Sequence, residues 1–205
     1  MKDFAGKLIL ASNSPRRKQL LRQAGFEFEV VTTFYKEEKF ETFSYENIKK
    51  NSSGKALSVA RAAVDYAGKD AIVIGADTMV ILDSVCLLNK PQDFSEAVFM
   101  LKSLSGRQHD VITAISLVDT QTLRALTEFS KTKVYFRSLN DEEIVKYIQE
   151  KNPLDKAGSY GIQDFITYEE SKNPPPQSFI QKIEGDYYNV VGLDMGLLTQ
   201  MLKRF

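Results

Sequence analysis

An apolar run, a polar turn and an amphipathic segment follow one another in residues 8–25, and this stretch restricts the fold more than any other. Residues 8–11, LILA, form a run short enough for a buried β-strand. In the turn SNSP, Ser14 is a good helix N-cap, and Pro15 suits the first helical position because no backbone N–H is needed there. Gly25 is typical of a helix end. The stretch therefore predicts a buried strand that leads directly into a helix.

The first turn of this helix carries three cations, although the N-terminus is the positive end of a helix dipole. Arg16, Arg17 and Lys18 are each disfavoured there by about 0.3–1 kcal/mol. A bound anion would make the arrangement favourable because free backbone N–H groups point the same way. Phosphate fits best, since an arginine fork holds two of its oxygens. A solvated basic turn or a pair of surface ion pairs explains the same residues without a ligand, and the stretch alone does not decide.

Composition argues against several classes of protein. The 205 residues suffice for one large domain or two small lobes, and 27 basic residues balance 27 acidic ones. A binder of nucleic-acid polymers is typically strongly basic, so a small anionic ligand is the better prediction. No run reaches the about 18 apolar residues of a membrane helix, and no signal-peptide pattern is present. The only cysteine, Cys86, excludes an internal disulfide and favours a reducing compartment. We therefore expect a cytoplasmic protein without nucleic-acid or membrane partners.

A second buried strand is predicted at residues 71–75, and an aspartate follows it directly. In α/β sheets, ligands bind at the carboxyl ends of strands, where Asp77 would then lie. A carboxylate in that position suits metal binding or proton transfer. A turn aspartate that binds its own backbone is the alternative, which Gly75 and the hydroxyl of Thr78 make modestly less attractive.

An acidic pair, Glu37-Glu38, comes after the alternating segment 26–30, which predicts a half-buried strand. Carboxylates just past a strand end can hold a metal. A solvated loop is the more common explanation of such a charged segment.

Two lysines are candidates for the same anion. Lys55 lies at the edge of the apolar stripe of a helix predicted over 44–67, where it either extends to solvent or reaches into a cleft. Lys90 precedes Pro91, which fixes the backbone beside it and so can direct its charge. The stripe consists of Ala56, Val59, Ala60, Ala63 and Val64, and Gly68 ends the helix.

The second half of the chain contains further regular segments. His109, the only histidine, is assigned to a structural hydrogen bond, and residues 167–177 to an exposed loop or lid. The remaining predictions are a hairpin with arms 79–82 and 85–88, helices at 95–104, 141–151 and 196–204, and strands at 111–118, 123–136 and Tyr187–Val191.

The segment 154–163, LDKAGSYGIQ, is the most informative piece of the second half. Its two glycines permit a close backbone approach. A glutamine such as Gln163 can recognise the edge of a nucleobase through both its oxygen and its NH₂ group.

Five motifs in order resemble the Maf family of nucleotide pyrophosphatases, and together they cover nearly the whole chain. They are SxSPRRxxLL at 12–21, GADT at 75–78, KP at 90–91, LSGxxHxVxT at 104–113 and DKAGxYGIQ at 155–163, and NVVGL at 189–193 extends the match. The resemblance implies hydrolysis of a nucleoside triphosphate between the α and β phosphates, with Mg²⁺ or Mn²⁺ as cofactor. The GADT and YGIQ forms resemble the dTTP/UTP branch. The 7-methyl-GTP branch has glutamine in place of Thr78 and glutamate in place of Gln163.

The same resemblance implies roles for individual residues. Catalytic roles fall to Asp77, Glu37 and Lys90, and metal binding to Asp77 and Glu37, with Glu38 leaving the register uncertain by one. Whether Asp77 is the base, a metal ligand or both stays open. Substrate binding is implied for Ser12, Ser14, Arg16, Arg17, Lys55, Thr78 and Gln163.

Three departures from the family pattern bear on base preference and leave the residues implied for the chemistry unchanged. Asp164 stands where glycine is usual and is followed by an unusually long segment, Asp194 replaces a proline, and Gln92 replaces a basic residue.

We expect residues 1–205 to form a single α/β domain of the Maf and inosine-triphosphatase type. It would contain a long, mixed, twisted sheet flanked by helices, folded as two lobes around a central cleft. The substrate is expected to be a nucleoside triphosphate, and the resemblance also suggests a homodimer. A nucleotide-binding regulator of septum formation with little turnover is the alternative, although a pure binder would not need the carboxylate of Asp77. A nucleic-acid-binding protein is disfavoured by the neutral charge.

Overall fold

The strand and helix at the start of the chain form as predicted. The computed structural model describes residues 6–63 and 71–205, and within it β1 (Lys7–Leu10) leads into α1 (Pro15–Gln23). The side chain of Ser14 caps α1 by accepting a hydrogen bond from the backbone N–H of Arg17 at 3.5 Å. The cations of the first turn of α1 are thereby placed at the carboxyl end of β1.

A mixed sheet is the centre of the fold, as predicted. The other strands are β2 (Phe28–Val30), β3 (Ala71–Leu82), β4 (Cys86–Leu88), β5 (Gln108–Asp119), β6 (Ala125–Phe136) and β7 (Ile180–Glu184). The strand order is β2-β1-β3-β5-β6-β7, and β4 pairs separately with β3. β1 is parallel to β2 and β3, whereas the remaining pairs are antiparallel.

Helices cover the sheet on both sides. They are α2 (Tyr45–Ala63), α3 (Phe94–Leu104), α4 (Asp141–Lys151), α5 (Tyr187–Val191) and α6 (Met195–Arg204). In the described part of the chain, no helix has the length and apolarity needed to cross a membrane. The predicted end of α2, including Val64 and Gly68, lies outside the described residues.

The strand β3 is longer than predicted, and this changes the position of Asp77. The predicted strand ends at Gly75 and leaves Asp77 beyond it, but β3 continues to Leu82 and pairs Asp77 with Ala114 of β5. The aspartate is tolerated inside the sheet because a lysine from α2 compensates its charge. The end of β3 forms the predicted hairpin with β4, in which Leu82 pairs with Cys86 and the turn residues Asp83 and Ser84 both have positive φ.

Gly75 allows α2 to lie directly on β3. A Cβ atom at Gly75 would be 2.3 Å from the carbonyl oxygen of Ser52 and 2.9 Å from the Cβ of Ala56. Side chains two residues apart on a strand share a face, so Asp77 points to the same side as Gly75. The absent side chain at Gly75 thus brings one face of α2 within reach of Asp77.

The prediction of a strand at Tyr187–Val191 was wrong, because these residues form the helix α5. The side chain of Asp186 caps it by accepting a hydrogen bond from the backbone N–H of Asn189 at 2.7 Å, and Gly192 ends it with a φ of 123°. The aromatic and β-branched residues favour a strand locally. The last strand is instead β7, which the sequence analysis did not predict. The segment 167–177 is a mostly exposed loop with one 3₁₀ turn, Glu170–Lys172.

Candidate functional site

A cleft of about 440 Å³ is lined by residues from most parts of the chain. Arg16 and Lys90, which sequence reasoning assigned to one anion, both line this cleft together with Asp77. All the predicted site residues except Ser12 contribute to its surface. They are Ser14, Arg16, Arg17, Glu37, Lys55, Asp77, Thr78, Lys90 and Gln163.

Lys55 is buried at the base of the cleft and contacts both candidate carboxylates. Its ammonium nitrogen lies 2.7 Å from Oδ1 of Asp77 and 2.8 Å from Oε1 of Glu37, and it donates to the carbonyl oxygen of Ala76 at 3.2 Å. Only 3% of the residue is exposed. Lys55 therefore reaches into the cleft instead of extending to solvent, and it brings the two carboxylates to one point.

The structure distinguishes Glu37 from Glu38. Glu38 forms an ion pair with Lys50 at 2.7 Å, whereas Glu37 pairs with Lys55, which also binds Asp77. Glu37 is partly buried, and although burial alone would raise the pKa of its carboxyl, Lys55 and, more weakly, Lys90 lower this pKa below its ordinary value. Glu37 is thus the ionised partner of Asp77.

The two neighbouring arginines differ in their surroundings. The Arg17 guanidinium donates to the carbonyl oxygens of Gly192 at 2.9 Å and Ala76 at 3.0 Å, and to the hydroxyls of Thr78 at 3.0 Å and Ser12 at 3.3 Å. Burial lowers its pKa, and the nearby Asp77 opposes this shift. Arg17 and Ser12 therefore form an internal network that ties α1, β3 and the end of α5 together.

Arg16, in contrast, is held by a single ion pair. Its Nη1 lies 3.0 Å from Oδ2 of Asp155, whose carboxylate is more than half exposed. Arg16 therefore has donors that remain available to a ligand in the cleft.

The hydroxyl of Thr78 has a defined orientation. Thr113 donates its hydroxyl hydrogen to the carbonyl oxygen of Asn189 at 3.0 Å, so it can only accept from Thr78, 3.0 Å away. The Thr78 oxygen in turn accepts from Arg17. A lone pair on the Thr78 oxygen remains for a ligand.

Gln163 lines the cleft from a 3₁₀ turn, Ile162–Asp164, and is exposed. The adjoining Asp164, one of the departures from the family pattern, accepts a hydrogen bond from the hydroxyl of Tyr147 at 2.8 Å. That hydroxyl also accepts from the backbone N–H of Gly161 at 3.1 Å. Asp164 therefore helps to fix the turn that carries Gln163.

Asp194 and Gln92, the other two departures from the family pattern, make structural hydrogen bonds. Asp194 caps α6 by accepting from the backbone N–H of Leu197 at 2.8 Å, and it also accepts from the hydroxyl of Ser130 at 2.6 Å. Gln92 is exposed, and its backbone N–H donates to Glu96 at 2.7 Å.

The single histidine lies behind the cleft and forms the structural hydrogen bond that was predicted. Nε2 of His109 lies 2.7 Å from the hydroxyl oxygen of Tyr160, which lines the cleft. Burial lowers the pKa of His109 to about 3, so the ring is neutral at pH 7.

Sequence reasoning missed Asn51, a buried residue that contacts Asp77. Its Nδ2 donates to Oδ2 of Asp77 at 3.4 Å. The signal was present in the spacing, because Asn51 lies four residues before Lys55 and so shares its helix face.

The carboxylates of Glu37 and Asp77 are the candidate donors for a metal ion in the cleft. In residues 6–63 and 71–205, no group of three or more histidine, cysteine, aspartate or glutamate side chains is arranged to hold a metal. Glu37 and Asp77 nevertheless converge on Lys55. This donor set fits Mg²⁺, which typically takes one or two carboxylates and completes its shell with phosphate oxygens and water.

The fold and the site define an α/β protein whose cleft combines cations and a carboxylate pair suited to a phosphorylated small molecule. The chain belongs to the Maf family, because the family model described as Maf-like protein matches residues 7–205. It is 41% identical over 202 residues to the dTTP/UTP pyrophosphatase of Acetivibrio thermocellus, covering 97% of this chain and 95% of that protein. It is 42% identical over 200 residues to the dTTP/UTP pyrophosphatase of Bacillus pumilus, covering 97% and 96%.

Similarity to solved structures is lower. The structure of the Staphylococcus aureus Ham1 protein matches 97% of this chain and 98% of that chain, with 14% identity and a TM-score of 0.48.

Proposed function

We propose that this protein hydrolyses dTTP and UTP to the nucleoside monophosphate and pyrophosphate. The observation that carries the proposal is the convergence of Glu37, Lys55 and Asp77 at the base of a cleft that Arg16 and Lys90 also line. The names of relatives about 41% identical over nearly the full chain support the same activity.

The cations of the cleft suit a triphosphate and its leaving group. A nucleoside triphosphate carries about four negative charges, and the departing pyrophosphate gains charge that must be stabilised. Arg16, Lys90 and Lys55 come from three separate segments and line the same cleft. Arg16 can bind phosphate oxygens through its free donors, whereas Lys55 stabilises the carboxylates.

Asp77 is the proposed general base. Its carboxylate lies at the base of the cleft, where it can orient a water molecule and accept its proton as the α-phosphorus is attacked. Glu37 and Asp77 would also hold a divalent cation, Mg²⁺ or Mn²⁺, which when bound lowers the pKa of water and neutralises phosphate charge.

Recognition of the base is assigned to Gln163, with Thr78 and Arg16. The amide of Gln163 offers both a donor and an acceptor, as the edge of a thymine or uracil requires. Gln163 is exposed and lines the same cleft as Asp77, which supports contact of both residues with one nucleotide. A cytoplasmic location is supported by the single, free Cys86. The homodimer stays a prediction.

The test is pyrophosphate release from a panel of nucleoside triphosphates with Mg²⁺ or Mn²⁺. We expect wild type to release pyrophosphate from dTTP and UTP, and Asp77→Asn to lower kcat by about 10²–10⁴-fold, as loss of a general base does. Asp110→Asn is the matched control, because Asp110 pairs with Lys131 outside the cleft. No release from any triphosphate, with nucleotide binding retained, would favour the regulator instead. Turnover of 7-methyl-GTP but not of dTTP or UTP would refute only the choice of substrate.

A further inference from the structure

Asn51 is a buried amide whose hydrogen-bonding capacity is fully used. Its Oδ1 accepts from the backbone N–H of Glu38 at 3.0 Å and from the hydroxyl of Tyr35 at 3.4 Å. Its Nδ2 donates to the carbonyl oxygen of Glu38 at 3.0 Å and to Oδ2 of Asp77 at 3.4 Å. An amide offers two donors and two acceptor sites, so every one is occupied. A buried polar group with this set of partners holds them strictly, because each broken bond would leave a polar atom unpaired.

Two of these bonds hold the loop that carries Glu37. Asn51 binds both the N–H and the carbonyl of Glu38, much as a neighbouring strand would. Glu37 is the preceding residue, so this backbone clamp fixes the point from which its side chain reaches Lys55. Residues 31–40 contain no helix or strand, so side chains of α2 hold the loop at this position: the Asn51 amide and, through an ion pair with Glu38, Lys50.

The remaining donor holds the second oxygen of Asp77. Lys55 binds Oδ1 of Asp77, and Asn51 binds Oδ2. These residues lie one helical turn apart on α2, which itself lies against the backbone of β3 at Gly75. The plane of the Asp77 carboxylate is therefore set by two side chains from one rigid helix.

We propose that Asn51 is a positioning residue that fixes Glu37 and Asp77 relative to each other before the nucleotide binds. It acts through the two carboxylates, by clamping the Glu38 backbone and by orienting the Asp77 carboxylate. The inference rests on the proposed function, because it assigns Asn51 a part in the hydrolysis attributed to this site.

A positioning role and a merely structural role predict different kinetics. If Asn51 only supports the fold, its loss lowers thermal stability, and binding and turnover fall together. If it positions the carboxylates, kcat falls while nucleotide binding is kept, because Arg16, Lys90 and Gln163 remain in place. A misplacement of about 1 Å at reacting groups can cost about 10²-fold in rate.

The experiment compares Asn51→Leu, Asn51→Asp and the control Tyr35→Phe. Leucine removes all four bonds at similar volume. Aspartate keeps an acceptor for the Glu38 N–H but loses both donors. Tyr35→Phe removes only the outermost bond to the same amide. We measure kcat and KM for pyrophosphate release from dTTP, binding of an α,β-methylene dTTP analogue by calorimetry, and Tm.

We expect both Asn51 variants to lower kcat by about 10–100-fold, as loss of supporting hydrogen bonds around a site typically does, with Kd for the analogue within about threefold of wild type. Tyr35→Phe should stay within about twofold. An unchanged kcat in a folded Asn51→Leu or Asn51→Asp protein overturns the proposal, and so does a parallel loss of binding, turnover and Tm. If wild type itself releases no pyrophosphate, the proposed function fails and this inference falls with it. If wild type releases pyrophosphate and the folded Asn51 variants have the same kcat as wild type, this inference alone is overturned.

Discussion

Two sets of residues that line the cleft are held in different ways. One set, the carboxylate wall, consists of Arg17, Lys55, Asp77 and the Asn51 amide. Lys55 and Asn51 bind the Asp77 carboxylate, and Arg17 and Lys55 both donate to the carbonyl oxygen of Ala76. The other set, the recognition side, consists of Lys90 and Gln163, which are both exposed. The wall is organised before a ligand arrives, as electrostatic stabilisation of a reaction requires. The recognition side keeps its side chains free to adapt. The difference assigns fixed geometry to the carboxylate wall and adaptable contacts to the recognition side.

Replacing the buried lysine should have the largest effect. In Lys55→Met, the carboxylate of Asp77 loses its ion pair while it stays buried, so unfolding free energy should fall by about 3 kcal/mol and pyrophosphate release by at least about 10²-fold. Lys90→Met is the matched control on the recognition side, where we expect lower activity with stability nearly unchanged. Thermal and urea unfolding measure the stability of both variants, and pyrophosphate release measures their activity. Equal destabilisation by the two substitutions would contradict the contrast between the sides.

The neighbouring arginines should separate in the same way. Arg17→Lys loses most of its four hydrogen bonds, so we expect a loss of about 2 kcal/mol of stability. Arg16→Lys loses one partly exposed ion pair, so we expect a change below about 1 kcal/mol but weaker nucleotide binding. Urea unfolding measures the stability of the two variants, and calorimetry measures their nucleotide binding. An Arg17→Lys protein more stable than the Arg16→Lys protein would contradict the predicted difference.

Acid should destabilise the molecule through His109. The pKa of its ring is about 3 in the folded protein, against an ordinary value of 6.5 for a solvated histidine. Below pH 6.5 the unfolded chain therefore takes up a proton that the folded chain does not, and stability falls as pH decreases toward 3. Between pH 7 and pH 5 we expect a loss of about 2 kcal/mol, since each pKa unit corresponds to about 1.36 kcal/mol.

The control for this effect is His109→Gln, which carries no titrating ring. Its stability should be lower at pH 7 but nearly flat between pH 7 and pH 5, measured by urea unfolding at each pH. A variant with the same slope as wild type would show that another group is responsible.

The smallest effect is expected in base selection. Tyr147→Phe removes the hydroxyl that joins Asp164 to the backbone of Gly161, so the turn carrying Gln163 should loosen. We expect the ratio of kcat/KM for dTTP over dCTP to fall by up to about tenfold, with kcat for dTTP within about twofold of wild type. Asp164→Asn keeps an oxygen for Tyr147 and should change the ratio less. A large loss of kcat in Tyr147→Phe would contradict the separation between the carboxylate wall and the recognition side.

Local sequence signals predicted the elements that are specified by local chemistry. The Ser14 cap and Pro15 identified α1, and the apolar runs identified β1 and the core of β3. They did not show that β3 continues through Asp77, because an acidic residue inside a buried strand is unfavourable until Lys55 is placed beside it.

Elements that depend on tertiary context were harder to predict from the sequence. The residues of α5 have strand-like composition, and the cap from Asp186 together with the packing of Asn189 against β5 and β6 decides for a helix. The family motifs led to most of the cleft, including Asp77, Lys90 and Gln163. Asn51 lies in no motif, and only the folded arrangement shows its four partners.

The bare backbone at Gly75 has a consequence for how this protein can change. Any side chain there would wedge α2 off the sheet, because the carbonyl of Ser52 occupies the space of its first carbon atom. The direct contact between the backbones of α2 and β3 consequently fixes the separation of Lys55 from Asp77. Adaptation to a bulkier nucleotide is therefore expected among the exposed residues of the recognition side and not beside Asp77.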